Sequence, residues 1–245
     1  MSIKDFRPTV LISSGGTIEA IDNVRVMSNV STGSTGATIA EMFLANGWEV
    51  IYIHGIGAKL PDIPCNLDFL FKPIEISTAE DACDKILWEA PKADAIIHAL
   101  AVSDFTFELS DDVKLDSSDS NGFIEYLRKT IRSNVKILPL IRGANKDAYI
   151  MGFKYTVGQT KDDQVKIARA QILTANLDST FVNDDVDMRD SGDRCGTLVT
   201  SRTKTNTYSR IDSAKAIYME VCEAVRKRAE STIGFKLMDV KNPFK

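Results

Sequence analysis

An α/β fold is the class this sequence predicts: a doubly wound, mostly parallel sheet with helices on both faces and a small C-terminal β-hairpin. Three observations carry that prediction. Apolar runs of strand length alternate with helical patterns along most of the 245 residues. The run at residues 94–102, DAIIHALAV, is almost unbroken by polar side chains, as a strand covered on both faces must be. At residues 9–38 a strand-like TVLISS passes through glycines and hydroxyls into a helical pattern, the layout of an anion-binding turn at a sheet edge.

The first strand, TVLISS, breaks at SGGT, and its helix is marked by Ala37, Ile39, Ala40, Phe43 and Leu44 on one face. The loop between them carries Glu19, Asp22, Arg25 and Asn29, none of which a plain dinucleotide turn needs. A second strand is expected at residues 49–54 (EVIYIH), then a Gly/Pro-rich connection over residues 55–66 and a third strand at residues 72–77 (KPIEIS). The helix over residues 79–90 has Ser77 or Thr78 as its N-cap. The central strand at residues 94–102 ends in Ser103, Asp104 and Phe105. Residues 103–121 are rich in Asp and Ser and read as a long mobile loop. Asn121 or Ser120 caps a helix through Lys129, and a helical piece follows at residues 135–141. Residues 148–153 form another central strand, residues 161–175 an amphipathic helix, and residues 179–182 a strand ending at Asn183 and Asp184. Residues 196–201 and 205–209 pair as a hairpin, and Asp212 caps a last helix to about Glu230. The expected organisation is a single Rossmann-like domain over residues 1–230, a mobile flap at about residues 106–121, and a tail at residues 231–245. In such sheets ligands bind beyond the carboxyl ends of the strands.

Composition narrows the function. A net charge of -4 and an isoelectric point near 5.3 give no basic field for nucleic acid, so a phosphate ligand must be met by local donors. Cys65, Cys83, Cys195 and Cys222 have no metal-ligand spacing, and only His54 and His98 could join them, so no protein-held metal is expected. The polar start at residues 1–7 and the lack of any apolar run near the roughly 20 residues a bilayer needs predict a cytoplasmic protein without a membrane partner.

The candidate site follows from position. Gly15 and Gly16 end the first strand, and Asp104 stands at the carboxyl end of the central one. His98, inside an apolar strand, reads as a core or pocket-edge histidine rather than a general base, and Lys114 taken alone reads as a solvated loop lysine.

The whole pattern SGGTIEAIDNVRVMSNVSTGSTG, then HALAVSDF, KLDSS, MGFKYTV and FVNDD, resembles the phosphopantothenoylcysteine synthetase family, the phosphopantothenate-cysteine ligases of coenzyme A biosynthesis, in their stand-alone bacterial form. The likeness runs from about residue 9 to residue 229. It implies a ligase that couples 4'-phosphopantothenate to L-cysteine through an acyl-nucleotide intermediate, with CTP or ATP as co-substrate, pyrophosphate as a product, Mg²⁺ carried by the triphosphate, and a homodimer as the working unit. It implies Asn29 as the catalytic amide and Lys114 as the catalytic lysine of the flap. Arg25 and Ala101 become substrate-binding, while Gly15, Gly16, Ser31, Thr32, Gly33, His98, Leu100, Asp104 and Phe153 become nucleotide-binding. The chain departs from the family pattern at Val30, where His is frequent, at Asn134-Val135-Lys136, and at Arg169, Gln171, Thr174 and Ala175, where two triphosphate lysines are usual. Lys114, Lys136, Lys154 or Mg²⁺ is then left to meet the triphosphate. The alternative is a diverged nucleotide-binding protein without ligase activity. A short-chain reductase is disfavoured, because no tyrosine has Lys four residues later.

Overall fold

Thr9–Ser14 (β1) is buried along nearly its whole length because parallel neighbours occupy both of its edges and helices cover both of its faces. The structure is a computed structural model that describes residues 7–108, 115–116, 118–191, 195–201, 205–208 and 210–233. In chain order β1 is followed by Ile18–Ala20 (β2), Val26–Ser28 (β3), helix Ser34–Ala45 (α1) and Glu49–Gly55 (β4). Phe71–Ile76 (β5), Ala79–Glu89 (α2), Ala95–His98 (β6), Phe105–Phe107 (β7) and Ser120–Thr130 (α3) come next. Then come Ile131–Ser133 (β8), Leu138–Ala144 (α4), Tyr149–Thr156 (β9), Lys161–Ala175 (α5) and Ser179–Asp184 (β10). Asp185–Ser191 (α6), Gly196–Thr200 (β11), Thr205–Tyr208 (β12) and Arg210–Ile233 (α7) complete the described chain.

The main sheet has eight strands in the order β12-β11-β10-β9-β6-β1-β4-β5, and every pair from β10 to β5 is parallel. The β11–β12 hairpin adds antiparallel strands at one edge. From β1 the chain first winds outward through β4 and β5, then returns to the other side of β1 as β6. That reversal makes the gap between β1 and β6 the topological switch point, the place where such sheets receive ligands.

The strand period of two sorts the core into two clusters. Val10, Ile12, Tyr52, Ile97, Met151 and Phe181 face α1 and α7, whereas Leu11, Ile51, Ile53, Ile96 and Ile150 face α2, α4 and α5. Each fully buried side chain of this size contributes about 1.5–3 kcal/mol relative to exposure, so the sheet is held from both faces. Pro73 is accommodated because β5 is an edge strand, where a missing N–H costs little. No helix of the described residues is long and apolar enough to cross a membrane.

Several expectations move. Thr78 does cap α2, accepting from the Asp81 amide at 3.2 Å. The cap of α3 is Asp119, accepting from the Gly122 amide at 2.9 Å, rather than Ser120 or Asn121. The piece expected at residues 135–141 is α4 at Leu138–Ala144, since Pro139 suits only a first helical turn. The last helix starts at Arg210, so Asp212 lies inside it, and it continues past Glu230 to Ile233. Residues 103–121 are not one loop: Phe105–Phe107 pairs with β8 as a small antiparallel ribbon, and a second ribbon, β2–β3, lies in the first loop. Three-residue strands carry too little period to be read from sequence. Residues 109–114 and 117 of the expected flap, with Lys114, lie outside the described residues.

Candidate functional site

Past His98 the β1–β6 pairing does not stop but thins into single bonds that tie the two strand ends together at the carboxyl edge. The Ala99 amide donates to the Ser13 carbonyl at 2.9 Å, Ala101 to Gly15 at 2.8 Å, and Thr17 back to Ala101 at 3.2 Å. Gly16 bridges Ala101 in parallel, and the Thr17 hydroxyl accepts the Ser103 amide at 2.9 Å. Gly15, Gly16 and Ala101 therefore form one wall, set by backbone geometry.

The first loop brings Asn29 back to this wall. Asp22 staples the β2–β3 turn by accepting from the amides of Val24 (2.9 Å) and Arg25 (2.7 Å). Burial works to raise the Asp22 carboxyl, but hydrogen bonds from Val24, Leu115 and Arg25 outweigh it and hold it below the usual carboxylate range. The Ser28 hydroxyl then donates to the Thr17 carbonyl at 2.9 Å, and the Asn29 amide donates to the Val102 carbonyl at 3.0 Å. Asn29 is exposed, and its carboxamide has a second N–H and an oxygen beyond the bond to Val102.

Opposite stands the amino terminus of α1. Its N-cap is Gly33, with φ of 73°, a left-handed conformation that glycine adopts without strain and that offers no side chain to the helix amides. The Ser14 hydroxyl holds the Gly33 carbonyl at 3.0 Å. The Lys59 amide donates to the Thr32 carbonyl at 2.9 Å, so the β4–β5 connection walls the same turn. Gly33 gives the helix no side-chain cap of its own, the Thr32 hydroxyl accepts the Ser34 amide at 3.4 Å, and the helix start carries about half a positive charge, which suits phosphate. Ser31, Thr32 and Gly33 thus gather where the sequence expects a phosphate turn.

The remaining candidates are more dispersed. His98 is buried with Nδ1 2.7 Å from the Ser13 hydroxyl, and burial pushes its imidazole down to about 4. It is neutral at pH 7, and its side chain is buried against Ser13. Leu100 is buried in the α2-side cluster. Phe153 is half-buried on the α1 side, with its ring 5.4 Å from that of Phe181. The Asp104 carboxylate is exposed and ion-paired with Lys136, and its carbonyl accepts the Asn134 amide at 2.9 Å. Asn183 is turned to the carbonyl of Cys195 at 2.9 Å. Arg25 is turned away from the cleft: it binds Asp22 and the Leu115 carbonyl (3.3 Å) and lies 5.5 Å over the Phe123 ring. Sequence reasoning missed Ser14, Thr17 and Lys59. Hydroxyls at a strand end were a visible signal for the first two, whereas the approach of Lys59 to Thr32 is a tertiary event.

Comparison with known proteins agrees with the fold. Residues 7–229 match the family model described as the DNA/pantothenate metabolism flavoprotein C-terminal domain. The chain is similar to the coenzyme A biosynthesis bifunctional protein CoaBC of Methanocaldococcus jannaschii, 34% identical over 175 residues, covering 71% of this chain and 40% of that protein. The corresponding protein of Bacillus subtilis is 32% identical over 178 residues, with the same coverage of 71% and 40%. Among solved structures, the DNA/pantothenate metabolism flavoprotein from Streptococcus pneumoniae superimposes with a TM-score of 0.75 at 25% identity, covering 88% of this chain and 99% of that one.

Proposed function

We propose, because this chain belongs to the DNA/pantothenate metabolism flavoprotein C-terminal domain family, that it is a ligase joining 4'-phosphopantothenate to L-cysteine in coenzyme A biosynthesis, with CTP or ATP as activating co-substrate. The chain spans about two fifths of the length of the curated relatives it matches, which are named for coenzyme A biosynthesis. The observation that carries the reading is that the glycine-capped start of α1 and the Asn29 carboxamide both lie at the carboxyl edge by the β1–β6 switch point.

The chemistry needs those two groups. The substrate carboxylate oxygen attacks the α-phosphorus, a new O–P bond forms, and the bond to the β-phosphate oxygen breaks to release pyrophosphate. Cysteine's amine then attacks the acyl carbon, the C–O bond breaks, the nucleoside monophosphate leaves with the electron pair, and the amine proton is lost to solvent. In our reading Gly15, Gly16, Ser31, Thr32 and Gly33 hold phosphate oxygens, and the second Asn29 N–H meets the acyl oxygen as negative charge develops there. Ala101 and Arg25 serve the substrate side. The backbone of His98 and Leu100, the Asp104–Lys136 pair and the face of Phe153 serve the nucleotide, and Lys114 closes the flap. Residues 1–230 act as one catalytic domain.

Among the described residues no group of three or more His, Cys, Asp or Glu could hold a metal. Mg²⁺ fits this site through the triphosphate oxygens, where it would neutralise charge. Lys59, brought beside Thr32 by its amide, is our candidate for the cation that the α5 positions no longer supply. Lys59→Gln is expected to raise KM for the nucleotide several-fold, and an unchanged KM would remove it from the site.

A homodimer accompanies this reading. Helix α3 has no buried residue, and Val24, Val26, Phe105 and Ile124 are exposed on α3 and the two small ribbons beside it. A second copy would cover that apolar face and bring Arg25 to a neighbouring site. The deciding experiment supplies phosphopantothenate and cysteine with CTP or ATP and follows pyrophosphate and product mass. Product with at least one nucleotide is expected. A folded chain that binds nucleotide yet makes no product with either would favour the binding-only alternative.

A further inference from the structure

Tyr52 is fully buried in β4 among the apolar side chains that face α1, where a phenylalanine ring would fill the same space. Its hydroxyl does something a phenylalanine could not. It donates to the carbonyl of Lys59 at 3.0 Å, seven residues further along the chain. Burial raises the phenol above its ordinary value, with the Ser14 hydroxyl working against that rise, so Tyr52 is protonated at pH 7 and able to donate.

The far end of that bond belongs to a tight turn in the β4–β5 connection. Gly57 has φ of 73°, and the Ala58 amide returns to the Gly55 carbonyl at 3.0 Å. This turn lies directly on the glycines of the first loop. A Cβ on Gly15 would fall 2.5 Å from the Ala58 Cβ, one on Gly33 would fall 3.0 Å from the same carbon, and one on Gly55 would fall 2.0 Å from the Gly16 carbonyl oxygen. From Lys59 the bonds continue: its amide donates to the Thr32 carbonyl at 2.9 Å, and the next carbonyl, of Gly33, accepts the Ser14 hydroxyl at 3.0 Å. Two successive carbonyls before α1 are thus held from behind, one of them by the residue that Tyr52 fixes.

We propose that Tyr52 is a positioning residue for this turn: its hydroxyl holds Lys59, Lys59 holds Thr32, and residues 31–33 are kept in the arrangement that receives phosphate. The proposal rests on the phosphate-turn part of the ligase reading and adds a residue beneath the turn that touches no ligand.

Inorganic pyrophosphate is the probe, titrated calorimetrically into the full chain at pH 7 with Mg²⁺, beside steady-state kinetics with CTP and ATP. Tyr52→Phe keeps the ring and removes one bond, so pyrophosphate should bind about three- to ten-fold more weakly and the nucleotide KM should rise to match. Both kcat and the KM for cysteine should stay within about two-fold of the parent. Tyr149→Phe is the control: it strips the hydroxyl from a buried phenol of the same cluster at the opposite edge of the sheet, and pyrophosphate affinity should not change. Ala58→Gly frees the same turn, should reproduce the selective loss, and carries the test alone if Tyr52→Phe does not fold. Parent affinity in Tyr52→Phe, an equal loss in Tyr149→Phe, or a matching rise in the cysteine KM would each overturn the proposal, as would a parent that binds neither pyrophosphate nor nucleotide. A parent that binds pyrophosphate but makes no product would count against ligation alone, and the affinity ratios would still decide on Tyr52.

Discussion

Asn29 is where a single side chain is expected to matter most for rate and least for folding. It is exposed, and its hydrogen bond to Val102 joins segments already held by Thr17 and Ser103. Asn29→Ala should therefore melt like the parent while turnover falls by about 10²- to 10³-fold, the usual cost of one oxyanion donor. Parent-level turnover in a steady-state assay would remove the catalytic role. Buried titratable residues predict instead how the fold answers to acid. The imidazole of His98 is held down to about 4, below its ordinary 6.5, by burial. The unfolded chain takes up that proton first, so this contribution to stability is lost as pH falls from about 6.5 to about 4. Burial works to raise the Asp184 carboxyl, yet it is held near 2 by donors from Gln159, Thr156, Gly158 and Val186. Its contribution is present above about pH 4 and is lost as pH falls toward 2. Denaturant melts should show both stages, and the gap between Asp184→Asn and the parent should shrink below pH 4. A gap constant from pH 7 to 2.5 would contradict the assignment.

At the scale of elements, the position of α1 is set by how closely it can approach β1. A Cβ placed on Gly36 would fall 2.2 Å from the Ser14 hydroxyl oxygen and 2.5 Å from Ser14 Cβ. Gly36→Ala gains about 1 kcal/mol of helix propensity, but overpacking of this kind costs about 1–3 kcal/mol, and here the obstacle includes a Cβ that cannot rotate away. The clash should win. A net loss of stability, together with weaker nucleotide binding as the helix terminus lifts from the Ser14 to Gly33 bond, is the expected outcome of melting and binding titrations. A stabilised variant would show that α1 can shift freely. The same element scale explains what could be read in advance. Runs such as TVLISS and EVIYIH announced β1 and β4 because both faces are buried, whereas β2, β3, β7 and β8 are short, partly exposed ribbons whose pairing comes from distant chain.

For the molecule as a whole, the proposed homodimer places its interface on α3 and the neighbouring ribbons. Ile124→Asp puts a charge on that face without touching either core cluster. Sedimentation should show a dimer for the parent at micromolar concentration, and a shift to monomer with loss of ligation for the variant. A parent that is monomeric and fully active would refute the dimer.

The sequence by itself determined the class of fold and the place of the glycine- and hydroxyl-rich turn that we propose holds phosphate. Burial on two faces forces apolar runs, and a close-packed anion loop forces glycines and hydroxyls, so both leave local marks that survive in one dimension. The family pattern from Ser14 to Gly36 lay there too. Only the tertiary structure decided that Arg25 turns to Asp22 and Phe123, that Lys136 claims Asp104, and that the Lys59 amide reaches the turn before α1. Those contacts join residues far apart in the chain, and such a meeting is fixed by the packing of whole helices and strands rather than by any local pattern.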